Sequence, residues 1–427
     1  MQDLSQGHSR KDSSEMKNSA KEETRETRHH GTTILNLDEC ILIKIFLLLP
    51  AASIICCKVV CKEWYDLLSQ LHFCNLYLKN PLYINLLFRN LISGNNLGKD
   101  YLISLRKDCK SSKESLSIKM LDIRMKKCLS IKGCCNGLLY MIQNITPSLF
   151  PYISNPMTGE YICIPKINSS KRALCRASGF GFSKSYKVLH VETWQHPNKE
   201  LRVHCQIFTI GVDTKWRELV LNNFVACGIY DTATILNGAF HWLVDHESLV
   251  AFSPNITVLI NSICAFDIAE ERFRSIPLPP GNAISMATCL SIGVIKGNLC
   301  VYDCSRSQYM IDIWMMNEYG NVGSWTRHYV LESWILSISS AQHLHLPIAS
   351  WSDGEVLAIS DTIPHLIWHN LREKTFEVLA IPGFESIPLM LVHLTVYTPN
   401  FLPLKQALKG EATFKGKIQK ISNSQRA

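Results

Sequence analysis

The sequence has no Cys-x-x-Cys pair, no run of 18 apolar residues and no apolar stretch within its first 30 residues. The first absence removes the usual spacing of zinc and dithiol redox sites; the others remove a membrane-spanning helix and a secretory signal. Also missing are G-x-x-x-x-G-K-[ST], G-x-G-x-x-G, H-E-x-x-H and G-x-S-x-G. Without them there is no phosphate cradle, zinc-protease helix or nucleophile elbow, so neither a cofactor nor a catalytic residue is expected. What the chain does have is 17 cysteines, an odd number, scattered and sometimes adjacent (Cys56 with Cys57, Cys134 with Cys135). That pattern fits buried thiols in a reducing compartment, which predicts a cytoplasmic or nuclear address.

The net charge of +8 raises the question of nucleic acid, and the distribution of the charge answers it. Arg106 to Lys132 carries nine Lys/Arg against three Asp/Glu, and Lys405 to Ala427 six against one. Neither stretch interleaves its cations with aromatic residues, so no nucleic-acid partner and no membrane partner are expected. The remaining candidates for chemistry are sparse. Adjacent His29 and His30 cannot close a tetrahedral site alone, and Cys300 with Cys304 supplies only two ligands, so no metal is expected. His241 lies on an apolar strand beside Trp242 and reads as a core or rim histidine, while Asp245 and His246 read as a solvated turn.

At 427 residues the chain exceeds what a single hydrophobic core supports, and its character changes along its length. Residues 1–31 balance six Lys/Arg against six Asp/Glu, are rich in serine and have no apolar period, which predicts a disordered arm. From Leu37 the sequence LDECILIKIFLLLP puts apolar residues on nearly every side of a helix, which Pro50 stops. Two more short helices are predicted, Ser53 to Val60 and Lys62 to Leu71, the latter with Trp64, Leu67, Leu68 and Leu71 on one face. A module this small cannot cover its own apolar surface.

LDECILIKIFLLLP, VCKEWYDLL at Val60 to Leu68, and Phe73 after it resemble the F-box, with Asp38 standing where that family usually has proline. The resemblance implies that residues 34–78 bind the Skp-type adaptor of a cullin-RING ubiquitin ligase. Leu37, Ile41, Ile45, Leu49, Pro50, Ile54, Val60 and Trp64 are the expected adaptor-binding residues.

Beyond residue 79 the pattern becomes short strands and turns with a countable period. Tyr161, Trp216, Phe273, Trp325 and Phe376 are 55, 57, 52 and 51 residues apart, each following an apolar strand and a turn. Between them runs a second series of turns, Asn136-Gly137, Asn237-Gly238, Gly297-Asn298 and Asp353-Gly354, each followed by an apolar strand. Two hairpins per period make four strands per unit, the arithmetic of a kelch-like β-propeller. Residues 79–130 would supply one further blade, for five or six in all. The aromatic period also assigns Trp216 and Trp325 to blade packing.

GCCNGLLYM (133–141), SNPMTGEYICIP (154–165), GFGF (179–182), LNGAFHWL (236–243), FDIAEERFRSIPLP (266–279) and IDIWMMNEYG (311–320) resemble the F-box associated domain of plant F-box proteins. The expected architecture is therefore a small all-α F-box module at 34–78, an all-β propeller at 79–400 and a basic tail at 401–427. The resemblance implies a non-catalytic substrate receptor, partnered by the adaptor, a cullin reached through it, and an unidentified protein target. A propeller lectin or enzyme with a helical cap, or an adaptor-bound scaffold without ligase activity, are the alternatives. The compartment reading predicts that thiol titration of the denatured, unreduced protein returns all 17 cysteines. Several disulfides in protein taken from its own compartment would overturn it.

Overall fold

A computed structural model describes residues 37–421 apart from 91–99, 109–114, 124–128, 146–147, 170–172, 196–200, 221–232, 244–261, 281–289, 308–309, 333–344, 351–354, 361–364, 371, 381–391 and 410–416. The arm expected at 1–31 lies outside the described residues. The chain divides into two compact units, Met1–Leu48 and Leu49–Ala427.

Among the described residues the first unit contributes one helix, α1 (Glu39–Leu47). The second begins with α2 (Ala51–Cys57), α3 (Lys62–Leu68) and α4 (Leu71–Leu78). The single helix expected from Lys62 to Leu71 is thus two. It stops at Ser69, and the extended backbone at Gln70 starts the next, so that Phe73, Cys74 and Tyr77 turn inward.

Six antiparallel sheets follow, and together they form a six-bladed β-propeller. The second blade runs Ser130–Cys135, Leu138–Ile145, Ser148–Asn155, Glu160–Cys163, and the third Ala173–Phe182, Tyr186–Gln195, Leu201–Thr209, Arg217–Glu218. The fourth runs Thr234–Leu236, Ala239–Leu243, Ser262–Asp267, Arg272–Pro277, and the fifth Leu290–Ile295, Asn298–Ser307, Met310–Met316, Trp325–Glu332. The sixth runs His345–Ser350, Glu355–Ser360, His365–Asn370, Thr375–Ala380. The first blade is composite. Val392–Val396 from the end of the chain pairs with Ile84–Asn90, which is followed by Asp100–Asp108 and Ser115–Ile123.

The two series of turns have distinct structural meanings. Asn136-Gly137, Asn237-Gly238 and Lys296-Gly297 have φ near +50° and then +70°, the left-handed pair that a two-residue hairpin requires, and they join the first and second strands of their blades. The turn expected at Gly297-Asn298 therefore sits one residue earlier. The aromatic series marks the fourth strand: Tyr161, Phe273, Trp325 and Phe376 lie on it and Trp216 immediately precedes it. Trp216 and Trp325 also link blades, their indole N–H groups donating to the Pro165 and Pro277 carbonyls of the preceding blade at 2.7 and 3.1 Å.

The core is a series of seams between consecutive blades. Leu189, Val191, Cys205 and Ile207 meet Phe240, Trp242, Cys264 and Phe266 between the third and fourth. The glycines of GFGF belong to this seam. A Cβ at Gly179 would lie 2.5 Å from the Phe240 ring and one at Gly181 2.6 Å from Ile268, so only glycine lets the ring lie against the strand. Cys205, Cys264 and Cys300 are buried in these seams, and burial pushes the Cys205 and Cys300 thiols up to about 12. They pack as small hydrophobes.

His241 is fully buried where the fourth and fifth blades meet. Its Nδ1 lies 3.2 Å from the Thr234 carbonyl and its Nε2 2.7 Å from the Tyr319 hydroxyl, which in turn accepts from Arg274 Nη2 at 2.7 Å. The chain of donors closes only for a neutral ring, with Nδ1–H donating and Nε2 accepting from the tyrosine. Burial first, and Arg274 nearby, hold the imidazole down at about 4 instead of 6.5. Below pH 6.5 the unfolded chain therefore binds a proton that the folded one refuses. Stability contributed by neutral His241 is complete above about pH 6.5 and is lost as pH falls toward about 4, by at most about 3 kcal/mol. Thermal melts across that window should show this acid limb, and His241→Gln should flatten it. Parallel curves for the two proteins would refute the assignment.

Candidate functional site

The helices carry the expected site residues, and the structure sorts those residues by face. In α1, Asp38 is the N-cap, its Oδ1 accepting from the Cys40 N–H at 2.8 Å, and Glu39 occupies the first turn where the helix dipole favours an anion. An aspartate in place of the family's proline thus still starts the helix, by a cap instead of a fixed φ. Leu42, Ile43 and Phe46 are buried. Ile41 (47% exposed) and Leu48 (53%) lie on the open side, with Leu37 and Ile45 half-buried.

In the second unit, Leu49 and Pro50 are half-buried, and Pro50 is the extended N-cap of α2. Ile54 and Trp64 are buried, as are Ala51, Leu67 and Leu68. Val60 (60%) and its neighbour Val59 (84%) protrude from the turn after α2. Tyr65 on α3 is exposed beneath the Lys58 ammonium, 4.9 Å from its ring centroid, and Leu71 and Leu76 on α4 are exposed as well.

The eight expected residues therefore divide three ways. Ile41 and Val60 are open to a partner, Leu37, Ile45, Leu49 and Pro50 are partly open, and Ile54 and Trp64 face inward. Leu48, Val59, Tyr65, Leu71 and Leu76 were not foreseen. The helix expected from Ser53 to Val60 ends at Cys57, which leaves the adjacent Val59-Val60 pair on the turn beyond it. Of the fourteen large hydrophobic side chains exposed among the described residues, seven fall between Ile41 and Leu76. Single exposed apolar residues need no explanation, but the five from Val59 to Leu76 on the short helices of the second unit mark a surface made to be covered.

Elsewhere, Cys300 and His241 are seam residues, as described above. His29, His30, Asp245 and His246, and the side chain of Cys304, lie outside the described residues. Among the described residues no group of three His, Cys, Asp or Glu is placed to hold a metal ion, and no helix is long and apolar enough to cross a membrane.

Comparison with known proteins places both parts. Residues 90–397 match the F-box associated beta propeller domain and residues 34–76 the F-box domain. The chain belongs to the F-box associated β-propeller family. Among its relatives in Arabidopsis thaliana, the F-box protein At3g07870 is 25% identical, the match covering 76% of this chain and 79% of that protein. The F-box protein CPR1 is 22% identical over 80% and 84%, and the F-box protein At5g65850 23% over 81% and 84%.

The sorting by face predicts opposite outcomes for two of the foreseen residues. Trp64→Ala should lower the thermal stability of the helical segment by about 3–5 kcal/mol, the usual cost of a large aromatic cavity. Val60→Ser should change it by less than about 0.5 kcal/mol. Equal effects in differential scanning calorimetry would contradict the two burials.

Proposed function

We propose that this chain is the substrate-recognition subunit of a Skp-cullin-F-box type ubiquitin ligase. Residues 34–78 bind the Skp-type adaptor and, through it, a cullin; the propeller recruits a protein target. The supporting observation is the concentration of exposed apolar side chains, Ile41, Leu48, Val59, Val60, Tyr65, Leu71 and Leu76, within a segment that matches the F-box. The chain makes and breaks no covalent bond in this reading. It raises the local concentration of target lysines at the activated ubiquitin, which converts an encounter between two proteins into one within a complex. It does so in the cytoplasm or nucleus, without nucleic acid or membrane.

The test is co-purification of the purified chain with a Skp-type adaptor. Leu49→Asp and Val60→Asp should each abolish the complex while leaving the propeller's thermal transition unchanged. An unpaired carboxylate at a desolvated contact costs several kcal/mol, and each 1.4 kcal/mol is about tenfold in affinity. Failure of the unsubstituted chain to bind would remove the receptor reading. Binding by both variants as tightly as by the parent would show that these two side chains face elsewhere.

A further inference from the structure

The basic tail expected from residue 401 begins with a segment whose apolar side chains are buried. Tyr397 just before it and Phe401, Leu402, Leu404 and Leu408 within it are all inside, and a short helix, α5 (Leu404–Ala407), lies within this run. On one side this segment is bonded to the second blade. Asn155 Nδ2 donates to the carbonyls of Asn400 and Leu402 at 2.9 Å each, and Glu160 Oε2 accepts from the Leu404 N–H at 2.6 Å. Asn400 Nδ2 donates to the Asn136 carbonyl at 2.7 Å, and the Tyr397 hydroxyl to that of Gly137 at 2.9 Å. The fit at Gly137 is tight, since a Cβ there would lie 2.4 Å from that of Asn400. Further along, Gln419–Lys420 adds a strand to the blade's edge.

On its other side the same segment meets the helices. The Phe401 ring stands edge-on to Tyr77 of α4 at 5.0 Å and lies 6.4 Å from Phe73. The Phe401 carbonyl accepts from the Lys58 ammonium at 2.9 Å. Only Lys79 to Tyr83 separate the end of α4 from the first blade, and five residues would by themselves allow a hinge. The segment spans that junction with bonds to both neighbours.

We infer that residues 397–408 are a positioning strap, which clamps helices α2 to α4 to the propeller so that the part of the adaptor-binding surface that these helices carry and the target-binding domain move as one body. This rests on the receptor reading and adds to it a requirement of geometry. Catalysis by proximity is diluted when a flexible joint spreads the target over a large volume, and a fixed joint removes that loss. Phe401 is the separable part of the device. Its ring contacts Phe73 and Tyr77 of the helices, whereas Asn155, Asn400 and Tyr397 bind the blade.

The experiment is a pulsed electron resonance distance measurement on the full chain, with non-cysteine spin labels at exposed His72 of α4 and exposed Glu270 of the fourth blade. The unsubstituted protein should give one narrow distance. Phe401→Ala should lose it and give a broad distribution, with adaptor binding and the propeller's thermal transition retained, a combination that general destabilisation would not produce. Lys58→Met, which removes the helix-side hydrogen bond without opening a cavity, should broaden the distribution too and decides the matter if Phe401→Ala does not fold. A broad distribution in the unsubstituted protein, or a narrow one in both variants, overturns the strap. Absence of adaptor binding by the unsubstituted chain is a separate result: it overturns the receptor reading, and the strap's purpose with it.

Discussion

The propeller depends on one pairing, that of Val392–Val396 with Ile84–Asn90. Each blade covers its neighbours' faces, so an open ring would leave two apolar faces in water. The seam between the first and sixth blades shows what closure hides: Ile84, Leu86, Phe88, Ile103 and Leu105 packed on Leu357, Leu366, Trp368 and Leu379. About 300 residues separate the paired strands, so this contact is highly non-local, and loop-closure entropy opposes it. The other seams are built between neighbours in sequence. They can form earlier, and they bring the two ends of the sheet array to where the last strand can bind.

Around this ring polar side-chain bonds occur within blades, as in Arg176 with Glu192 and Arg327 with Asp312, and also across seams. Glu271 illustrates the economy of the arrangement. It accepts from Arg217 of the third blade and pairs with Lys187 at 2.8 Å, while Lys187 also donates to the Ile268 carbonyl. Burial alone would raise this carboxyl; the two cations outweigh it and hold it below the usual carboxylate range. His241 with Tyr319 does the same between the fourth and fifth blades as a neutral pair. Directional bonds at the seams supply what the apolar faces lack, namely a preferred register between adjacent sheets.

The segment after the closing strand extends this logic to the helices. Once Val392–Val396 is in place, the chain leaves the first blade beside the Asn136-Gly137 turn of the second, and residues 397–408 have backbone groups that must be satisfied there. Asn155, a buried side chain within the SNPMTGEY motif, satisfies two of them. The motif thus serves the joint between helices and propeller as well as its own blade.

The strand content, the four-strand unit and its period were legible in the chain, because the blades repeat local features: a left-handed two-residue turn after the first strand in the second, fourth and fifth, and an aromatic residue at or just before the fourth strand in the second to sixth. The helix that Pro50 ends was legible for a similar reason, since proline acts locally. The first blade was legible only in part, from residues 79–130, and the course of the tail was not. The first blade's innermost strand comes from the far end of the chain, and no period can announce a pairing across 300 residues. Phe401 and Leu404 sit in a stretch whose lysines suggested solvent, and only the crevice between helices and blade gives those apolar side chains a place. Within the site, residue type identified which helices are apolar but not which side of each is open, because a helix that is apolar all round carries no phase. By itself, then, the sequence determined the repeat, two of its turns and the F-box module, all of which rest on interactions between near neighbours. Tertiary structure alone decided ring closure, the course of the tail and the sorting of Ile41 and Val60 from Ile54 and Trp64, because burial depends on which distant surface arrives to cover a side chain.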